Sequence, residues 1–363
     1  MKKFLLASLA TAALFVQPAL AQNATTVPVG AMTIDFPATG ASPATTLKYF
    51  SLPLHNDAAF TGKPTAVTAD TITFTDVNWT TTPSQFGANP STHIVRILTG
   101  QQAGRILKVI SNTTNSLTVS ILDGTLQSTA LDYSGFAVTT SDLIEIVPAD
   151  TLAGIFGDGT AENPLMTGWV GTTSAFTSDT ISLFERKTGL SITYYFHIPQ
   201  GQTAAQGTWR KTGTATSANL TPVYSDDAIL VVRRTNRPAT SLVLTGRVPT
   251  VSPLIKAFPS RSYLTTLGVP VDVSLNSLTI SGAWTRNSSL FTSDTIAVYN
   301  PNMRVFVPYF QRTDNSWRSS ASSTAPNVSS FVIPAGSTVN ILERTSNQVG
   351  ASSFNKFPLP YNL

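Results

Sequence analysis

The six residues Phe176-Thr177-Ser178-Asp179-Thr180-Ile181 occur a second time as Phe291-Thr292-Ser293-Asp294-Thr295-Ile296. In both places a tryptophan, Trp169 or Trp284, precedes the phenylalanine by seven residues. The second copy therefore lies 115 residues after the first at every matched position. A match at one constant offset indicates an internal repeat, and a polar turn followed by β-branched residues is typical of β units.

The similarity continues beyond these six residues. Each copy is followed by an aromatic strand, a Trp-Arg pair and an apolar strand that ends in Arg-Thr. In chain order the matches are 192–196 with 305–310, Trp209-Arg210 with Trp317-Arg318, and 229–235 with 339–345. The spacing drifts slightly, as different loop lengths in duplicated units would produce. The repeat thus predicts two related modules of about 85 residues each.

Apolar and polar residues alternate with a period of two through much of the chain. Between Leu190 and Ile198, for example, the even-numbered residues are apolar or aromatic and the odd-numbered ones are Ser, Thr, Tyr and His. Such alternation predicts a half-buried strand, because successive side chains of a strand point to opposite faces. Helical periodicity is nearly absent. The sequence therefore predicts an all-β protein.

We predict a small five-stranded, barrel-like module followed by two duplicated, β-sandwich-like modules. The five strands of the small module are expected at 70–74, 93–98, 105–110, 116–119 and 142–147. The predicted organisation is a signal peptide at 1–21, N-terminal strands at 22–63, the small module at 64–160, the first repeat at 161–250, a connector at 251–279 and the second repeat at 280–363. The N-terminal strands are expected to pair with a later module.

The start of the chain reads as an export signal. Met1-Lys2-Lys3 is positively charged, residues 4–16 are mostly apolar, and Ala19-Leu20-Ala21 is a small-residue cleavage site. We expect cleavage after Ala21 and export to the periplasm, the cell surface or the extracellular medium. No run reaches the roughly 18 apolar residues that a spanning helix needs, so we expect no transmembrane helix.

The composition excludes several classes of site. The chain has no cysteine, so no disulfide, thiolate metal ligand or cysteine nucleophile can form. Charged residues are only 12% of the chain and the formal net charge is +4, with no block of lysine or arginine. Because nucleic-acid binding requires a concentrated positive surface, nucleic acid is not an expected partner.

The residues that usually carry catalysis form no recognisable motif. The three histidines share no metal-ligand spacing, and neither HExxH nor GxSxG occurs. Asp179 and Asp294 could be argued as a matched catalytic or calcium pair, but a third Thr-Ser-Asp at 140–142 also precedes a strand. We therefore interpret these carboxylates as acceptors for backbone N–H groups at strand starts. We predict no catalytic residue and no cofactor.

Two features remain as candidate sites. The loop 157–163 loosely resembles a calcium loop through Asp158 and Glu162, but it lacks EF-hand spacing, and a solvated loop is the simpler interpretation. Trp209-Arg210 and Trp317-Arg318 are candidate ligand-binding pairs, because an indole can stack on a sugar face while the arginine bonds hydroxyls beside it. Repeated tryptophans in β modules are also typical of a core.

A series of short motifs gives the chain a family resemblance. In order, they are VGAMTIDF at 29–36, SLPL at 51–54, ILTG with AG at 97–104, NTTNSLTV at 112–119 and TLAGIFG at 151–157, followed by the two FTSDTI copies. In this order they resemble a family of exported, β-rich bacterial proteins of uncharacterised function. The resemblance covers nearly the whole predicted mature chain. It implies export and a β architecture, and it carries over no catalytic residue.

Three functional hypotheses follow. Export, duplicated β modules and the lack of a convergent catalytic motif favour a non-enzymatic surface, matrix or adhesion protein, whose partner would be a cell-surface polymer, a glycan or further copies of itself. The alternative is a carbohydrate-binding protein that uses the two Trp-Arg pairs. A secreted hydrolase stays open as a third hypothesis, because scattered carboxylates can converge in a fold.

Overall fold

The computed structural model describes residues 28–41, 45–82, 84–87, 92–121, 131–133, 136–184, 190–225, 227–256, 258, 261–282, 284–319, 326–344 and 354–361. The predicted signal peptide at 1–21 lies outside these residues. Within them the chain forms antiparallel sheets almost throughout, which confirms the all-β prediction. None of the described helices has the length and hydrophobicity that a membrane crossing requires.

The strands are numbered in chain order. The first twelve are β1 (Val29–Phe36), β2 (Thr46–Phe50), β3 (Phe60–Gly62), β4 (Ala66–Val67), β5 (Thr71–Thr73), β6 (His93–Ile97), β7 (Ile106–Asn112), β8 (Ser116–Ile121), β9 (Asp132–Tyr133), β10 (Phe136–Ala137), β11 (Ile144–Pro148) and β12 (Asp150–Thr151). A single-turn helix, α1 (Leu152–Phe156), follows.

The remaining strands lie in the two predicted repeat regions and in the predicted connector between them. They are β13 (Thr180–Phe184), β14 (Ser191–His197), β15 (Thr208–Lys211), β16 (Pro222–Val223), β17 (Ala228–Arg233), β18 (Thr240–Arg247), β19 (Leu254–Lys256), β20 (Arg261–Thr266), β21 (Val273–Ser274), β22 (Ser281–Gly282), β23 (Thr295–Asn300), β24 (Val305–Gln311), β25 (Trp317–Arg318), β26 (Val332–Ile333), β27 (Thr338–Glu343) and β28 (Phe354–Lys356). Two 3₁₀ turns lie at Ala204–Gln206 and Leu275–Ser277.

The small module is a half-barrel of seven strands in the order β3-β11-β6-β7-β8-β5-β4. It contains all five predicted strands, and the short strands β3 and β4 extend it at its two edges. Alternate residues of these strands face inward and form one apolar core, made chiefly of Ile72, Phe74, Val95, Ile97, Leu107, Val109, Leu117, Val119, Ile144 and Ile146. The period-two pattern of the sequence therefore accounts for this module.

The first repeat region forms a five-stranded sheet in the order β15-β14-β13-β17-β2. Its edge strand β2 comes from the N-terminal segment, and β1 pairs along its whole length with β18. The expected pairing of the N-terminal strands with a later module is thus confirmed. Met32, Ile34 and Phe36 of β1 pack into the same core as Trp169 and Trp209.

The second repeat region forms a five-stranded sheet in the order β25-β24-β23-β27-β20. Its edge strand β20 comes from the segment predicted as a connector, where it pairs with β27. Strand for strand, this sheet has the same order as the first. The short pairs β12–β16 and β21–β26 also correspond. In each pair, the first strand is followed directly by a single helical turn. Duplication as the origin of this likeness, and the predicted module boundaries, stay predictions.

The two sheets meet at the C-terminal ends of β2 and β20 and at the start of β27. Ser51, directly after β2, donates a hydrogen bond from its Oγ to Thr266 Oγ1, at the end of β20, over 2.7 Å. Thr338 Oγ1 donates to the carbonyl of Phe50 over 2.7 Å. These buried side-chain bonds fix one sheet against the other.

The strand predicted between Leu190 and Ile198 is present as β14, but its burial differs from the expected alternation. Tyr194, Tyr195 and Phe196 are all buried. Tyr195 lies on the face predicted to be solvated, where Arg210 is its cross-strand neighbour. The centre of β14 is therefore covered on both faces, which an alternating sequence does not reveal because tyrosine is compatible with either environment.

Candidate functional site

Asp179, in the first FTSDTI copy, is buried and joins three segments. Its carboxylate accepts hydrogen bonds from Val170 N over 3.0 Å and from Arg234 N over 2.8 Å. Arg237 Nε lies 3.1 Å from the same carboxylate. Because Val170 directly follows Trp169, these bonds explain why the tryptophan and the aspartate recur at one spacing. The role is structural.

Asp294 makes the same backbone bonds in the second copy. It accepts from Thr285 N and from Arg344 N, each over 2.6 Å. Burial raises the pKa of Asp294, although the backbone hydrogen bonds oppose the shift. The interpretation as backbone acceptors fits both aspartates, but their partners lie outside the local turn, in the loop after the repeated tryptophan and directly after β17 or β27. Asp142, in contrast, accepts locally, from Thr139 N over 2.8 Å.

The tryptophans of the two candidate binding pairs lie in the core. The exposed fraction is 0% for Trp209 and 1% for Trp317. Trp209 packs against Phe156, Trp169 and Phe196 with ring centroids 5.4 to 5.9 Å apart, and its indole N–H donates to Gly157 O over 2.7 Å. Neither indole face is open to a sugar, which corrects the proposed stacking role.

Arg210 and Arg318 flank these tryptophans on β15 and β25. Each faces an aromatic cross-strand neighbour, Tyr195 or Phe310. Both Nε atoms are buried, and no described residue accepts a hydrogen bond from either. With the indoles enclosed, the two arginines have no stacking surface beside them and do not form the predicted pair site.

In the candidate metal loop, the Asp158 carboxylate is bonded by residues of the loop itself. Asp158 accepts from Thr160 N over 3.1 Å and from Thr160 Oγ1 over 2.7 Å, and these bonds lower its pKa. Glu162 is exposed. Among the described residues, no three His, Asp or Glu side chains are grouped so that they could hold a metal ion.

The structure instead places two clefts on either side of the buried segment Ser51–His55, which leads from β2 toward the half-barrel. The backbone of this segment is held at both ends. Ser51 N donates to Gly336 O over 2.9 Å, and His55 exchanges two backbone hydrogen bonds with Arg247. A buried loop held in this way is a rigid partition between the two clefts.

The first, which we call the polar cleft, has about 630 Å³ of space between its lining residues, part of which is open solvent. It is lined by Leu52, Leu54, Asn56, Asp150, Gly154, Ile155, Val243, Leu244 and Thr245. Asn56 Nδ2 donates to Asp150 Oδ1 over 3.1 Å and to Pro148 O over 3.2 Å. Among the described residues, no donor bonds the remaining oxygens, Asn56 Oδ1 and Asp150 Oδ2. Burial raises the pKa of Asp150.

The second, which we call the arginine cleft, has about 740 Å³ of space between its lining residues, part of which is open solvent, and it separates the half-barrel from the region around β19 and β20. Its lining is mainly apolar: Leu52, Pro53, Ile97, Gly104, Ile106, Pro249, Val251, Pro253, Leu254, Ile255 and Gly268, with His55, Arg96, Arg105, Ser225 and Thr266. The charged side chains among these lining residues are the two arginines.

Arg96, in the lining of the arginine cleft, belongs to an ion-pair network. Arg96 on β6 lies opposite Glu145 on β11 in the antiparallel register. Its Nη1 is 3.1 Å from Glu145 Oε2, and Arg247 Nη1 is 3.9 Å from Glu145 Oε1. Arg247 also pairs with the exposed Asp57 over 2.6 Å. Burial lowers the pKa of Arg96, and Glu145 opposes that shift.

His55 is held as a neutral imidazole beside this network. Arg96 Nη1 lies 2.5 Å from His55 Nε2, and since arginine can only donate, Nε2 must accept. Nδ1 therefore carries the proton and donates to Asn56 O over 2.9 Å. Burial, reinforced by the nearby Arg96, lowers the pKa of His55 to about 4.

Sequence reasoning did not find either cleft. In the sequence, the segment that separates them contains a proline, Pro53, and Asp150 belongs to no recognisable motif. The one available signal is the apolar character of Leu52-Pro53-Leu54 directly before the polar His55-Asn56. No family model, curated protein or solved structure matches the chain, and the family resemblance stays a prediction.

Proposed function

We propose that this chain is an exported, non-enzymatic β protein of the cell surface or matrix, and that it binds a neutral carbohydrate in the polar cleft. The observation that supports this proposal is the Asn56–Asp150 pair, which presents two acceptor oxygens to this cleft.

The chemistry of the polar cleft suits a sugar. Each hydroxyl of a sugar can donate one hydrogen bond, and Asn56 Oδ1 and Asp150 Oδ2 can accept from two neighbouring hydroxyls. The bond between the two side chains fixes their positions before a ligand arrives. Leu54, Ile155 and Leu244 provide an apolar wall for the C–H face of the ring. A bond to an ionised carboxylate contributes about 1.5–3 kcal/mol.

Binding fits the cleft better than hydrolysis does. Glycoside hydrolysis usually requires two carboxyl groups that face each other across the bond to be cleaved. Among the described residues that line the polar cleft, Asp150 is the single carboxylate, and those lining the arginine cleft include none. A carboxylate without a partner can orient a hydroxyl, and we assign Asp150 this role.

Titration calorimetry with neutral and acidic oligosaccharides, first chosen by a glycan array, tests the binding proposal. We expect a neutral oligosaccharide to bind, and Asp150→Asn to weaken it at least tenfold, because an amide keeps the shape but loses the charge. Asp70→Asn is the matched control, since Asp70 is exposed and lies outside both clefts. It should bind like the parent protein.

Two results would count against the proposal. One is an array on which no neutral oligosaccharide binds. The other is an unchanged affinity of Asp150→Asn, provided that its thermal unfolding shows a folded protein. Fractionation of the native organism tests the location separately. A protein found only free in the medium, without affinity for the cell surface or for a polymer, would contradict the surface role.

A further inference from the structure

The arginine cleft has features that the proposed carbohydrate site does not use. Its walls are largely hydrocarbon, contributed by Ile97 and Ile106 of the half-barrel region and by Val251, Leu254 and Ile255 on the opposite side. Such walls favour an apolar ligand, at about 25 cal/mol for each Å² of apolar surface removed from water. A neutral sugar would gain little here.

One edge of the Arg96 guanidinium is available to a ligand. Its Nη1 is occupied twice, by Glu145 Oε2 and by His55 Nε2. No described residue accepts a hydrogen bond from Nε or Nη2, and Arg96 is part of the cleft lining. The Nε–Nη2 edge offers two parallel N–H groups, the geometry that binds a carboxylate in a bidentate manner.

The surroundings of this edge fix its charge and position. His55 cannot compete for an anion, because its Nε2 is an acceptor and its Nδ1 donates to Asn56 O. Glu145 is bound on the opposite side by both Arg96 and Arg247. Arg105, which is stacked on Phe354 with 5.0 Å from its guanidinium carbon to the ring centroid, adds a second positive charge to the lining. Ser225 Oγ is buried in the same lining, and no described residue bonds it.

From this geometry we propose that the arginine cleft is a second binding site, for an amphipathic monocarboxylate. The carboxylate would lie on the Nε–Nη2 edge of Arg96, and the hydrocarbon body between the half-barrel and the 249–255 segment. The ligand joins two parts of the fold, so binding should also stabilise the folded protein. This site is independent of the polar cleft, which lies on the other side of the segment Ser51–His55.

Titration calorimetry of the full mature chain at pH 7.5 tests the proposal with three probes, each used at concentrations at which it is dissolved as a monomer. They are dodecanoate, dodecanol and acetate. We expect dodecanoate to bind at least tenfold more tightly than dodecanol, and acetate to give no measurable heat, because both the charge and the hydrocarbon are needed. Equal affinity for dodecanoate and dodecanol would show that the cleft binds hydrocarbon without recognising the carboxylate, and it would overturn the proposal.

Two variants locate the site. Arg96→Lys keeps the charge beside Glu145 but loses the two parallel N–H groups of the Nε–Nη2 edge. Dodecanoate affinity should therefore fall at least tenfold. Val251→Trp leaves the network intact and fills the cleft from its half-buried wall, and it should abolish binding. Arg210→Lys, a half-buried arginine outside the cleft, is the control and should bind normally. Normal binding by both Arg96→Lys and Val251→Trp would overturn the proposal.

The carbohydrate titration distinguishes this site from the first one. Asp150→Asn should bind dodecanoate like the parent protein, and Val251→Trp should keep the affinity for the neutral oligosaccharide. Failure of the carbohydrate proposal alone would leave the dodecanoate results unchanged. Competition of dodecanoate with the oligosaccharide for one site would overturn the independence of the two clefts.

Discussion

Asp179 and Asp294 stand 115 residues apart in the chain, and each accepts a hydrogen bond from the backbone N–H of the residue that follows a repeated tryptophan. The donor distances are 3.0 Å to Asp179 and 2.6 Å to Asp294. Each also accepts from an arginine backbone N–H after the neighbouring strand, over 2.8 Å and 2.6 Å respectively. The repeated motif thus marks two places where a buried aspartate makes the same pair of backbone hydrogen bonds.

The two aspartates should differ in their contribution to stability. Asp179 pairs with Arg237, and the amide of Asp179→Asn would leave that mostly buried guanidinium without its charge partner, at about 3 kcal/mol. Burial raises the pKa of Asp294, so its charge is less favourable there, and Asp294→Asn should cost about 1 kcal/mol. Urea unfolding at pH 7 measures the free energy of unfolding of both variants. Equal losses would contradict the different roles assigned to the two aspartates.

The stability of the protein should rise with pH between about 4 and 6.5 through His55. The pKa of His55 is lowered to about 4, so the unfolded state binds more protons than the folded state in this window. Going from pH 7 to pH 4.5 should therefore cost about 2 kcal/mol at this residue.

His55→Gln checks this prediction. Glutamine can still accept from Arg96 but cannot be protonated in this range. Urea unfolding of the parent protein and of this variant at the two pH values should show a smaller pH-dependent loss for the variant. The same loss in both proteins would assign the effect to other groups.

Gly104 should be intolerant of any side chain. Its φ is +93°, and a Cβ at this position would overlap Ser252 O, where the half-barrel contacts the segment leading into β19. Gly104→Ala should cost more than about 3 kcal/mol. Gly213 has a φ of +84°, but a Cβ there would meet no other atom within 4 Å, so Gly213→Ala isolates the backbone effect and should cost about 1 kcal/mol. Similar thermal unfolding midpoints for Gly104→Ala and Gly213→Ala would argue against an overlap between the added Cβ and Ser252 O.

Trp209 and Trp169 should respond differently to the same substitution. They contact each other with ring centroids 5.4 Å apart, but Trp209 donates its indole N–H to Gly157 O, whereas no described residue accepts from Trp169 Nε1. Trp209→Phe loses volume and a hydrogen bond and should cost about 3 kcal/mol. Trp169→Phe removes a buried donor that lacks a partner and should cost about 1 kcal/mol. Chemical unfolding of the two variants gives the comparison, and the reverse order would contradict it.

Local patterns predicted the strands well because burial on one face of a sheet imposes a period of two. Five of the seven strands of the half-barrel and the paired N-terminal strands were predicted in this way. The repeated Trp-Arg pairs predicted a binding surface less well. A tryptophan beside an arginine gives the same sequence whether the indole faces a sugar or the core, and here Trp209 and Trp317 face the core.

The sequence by itself determined the class of fold and the recurrence of the FTSDTI motif, because alternation and a constant 115-residue offset are properties of the chain. Only the tertiary structure decided where ligands could bind. Asn56 and Asp150 are 94 residues apart, and Arg96 and Glu145 are 49 apart. The half-barrel lies in the chain between β2 and β12, both of which pair with strands of the first repeat region. Long-range strand pairing brings such distant residues together, and no local pattern encodes that pairing.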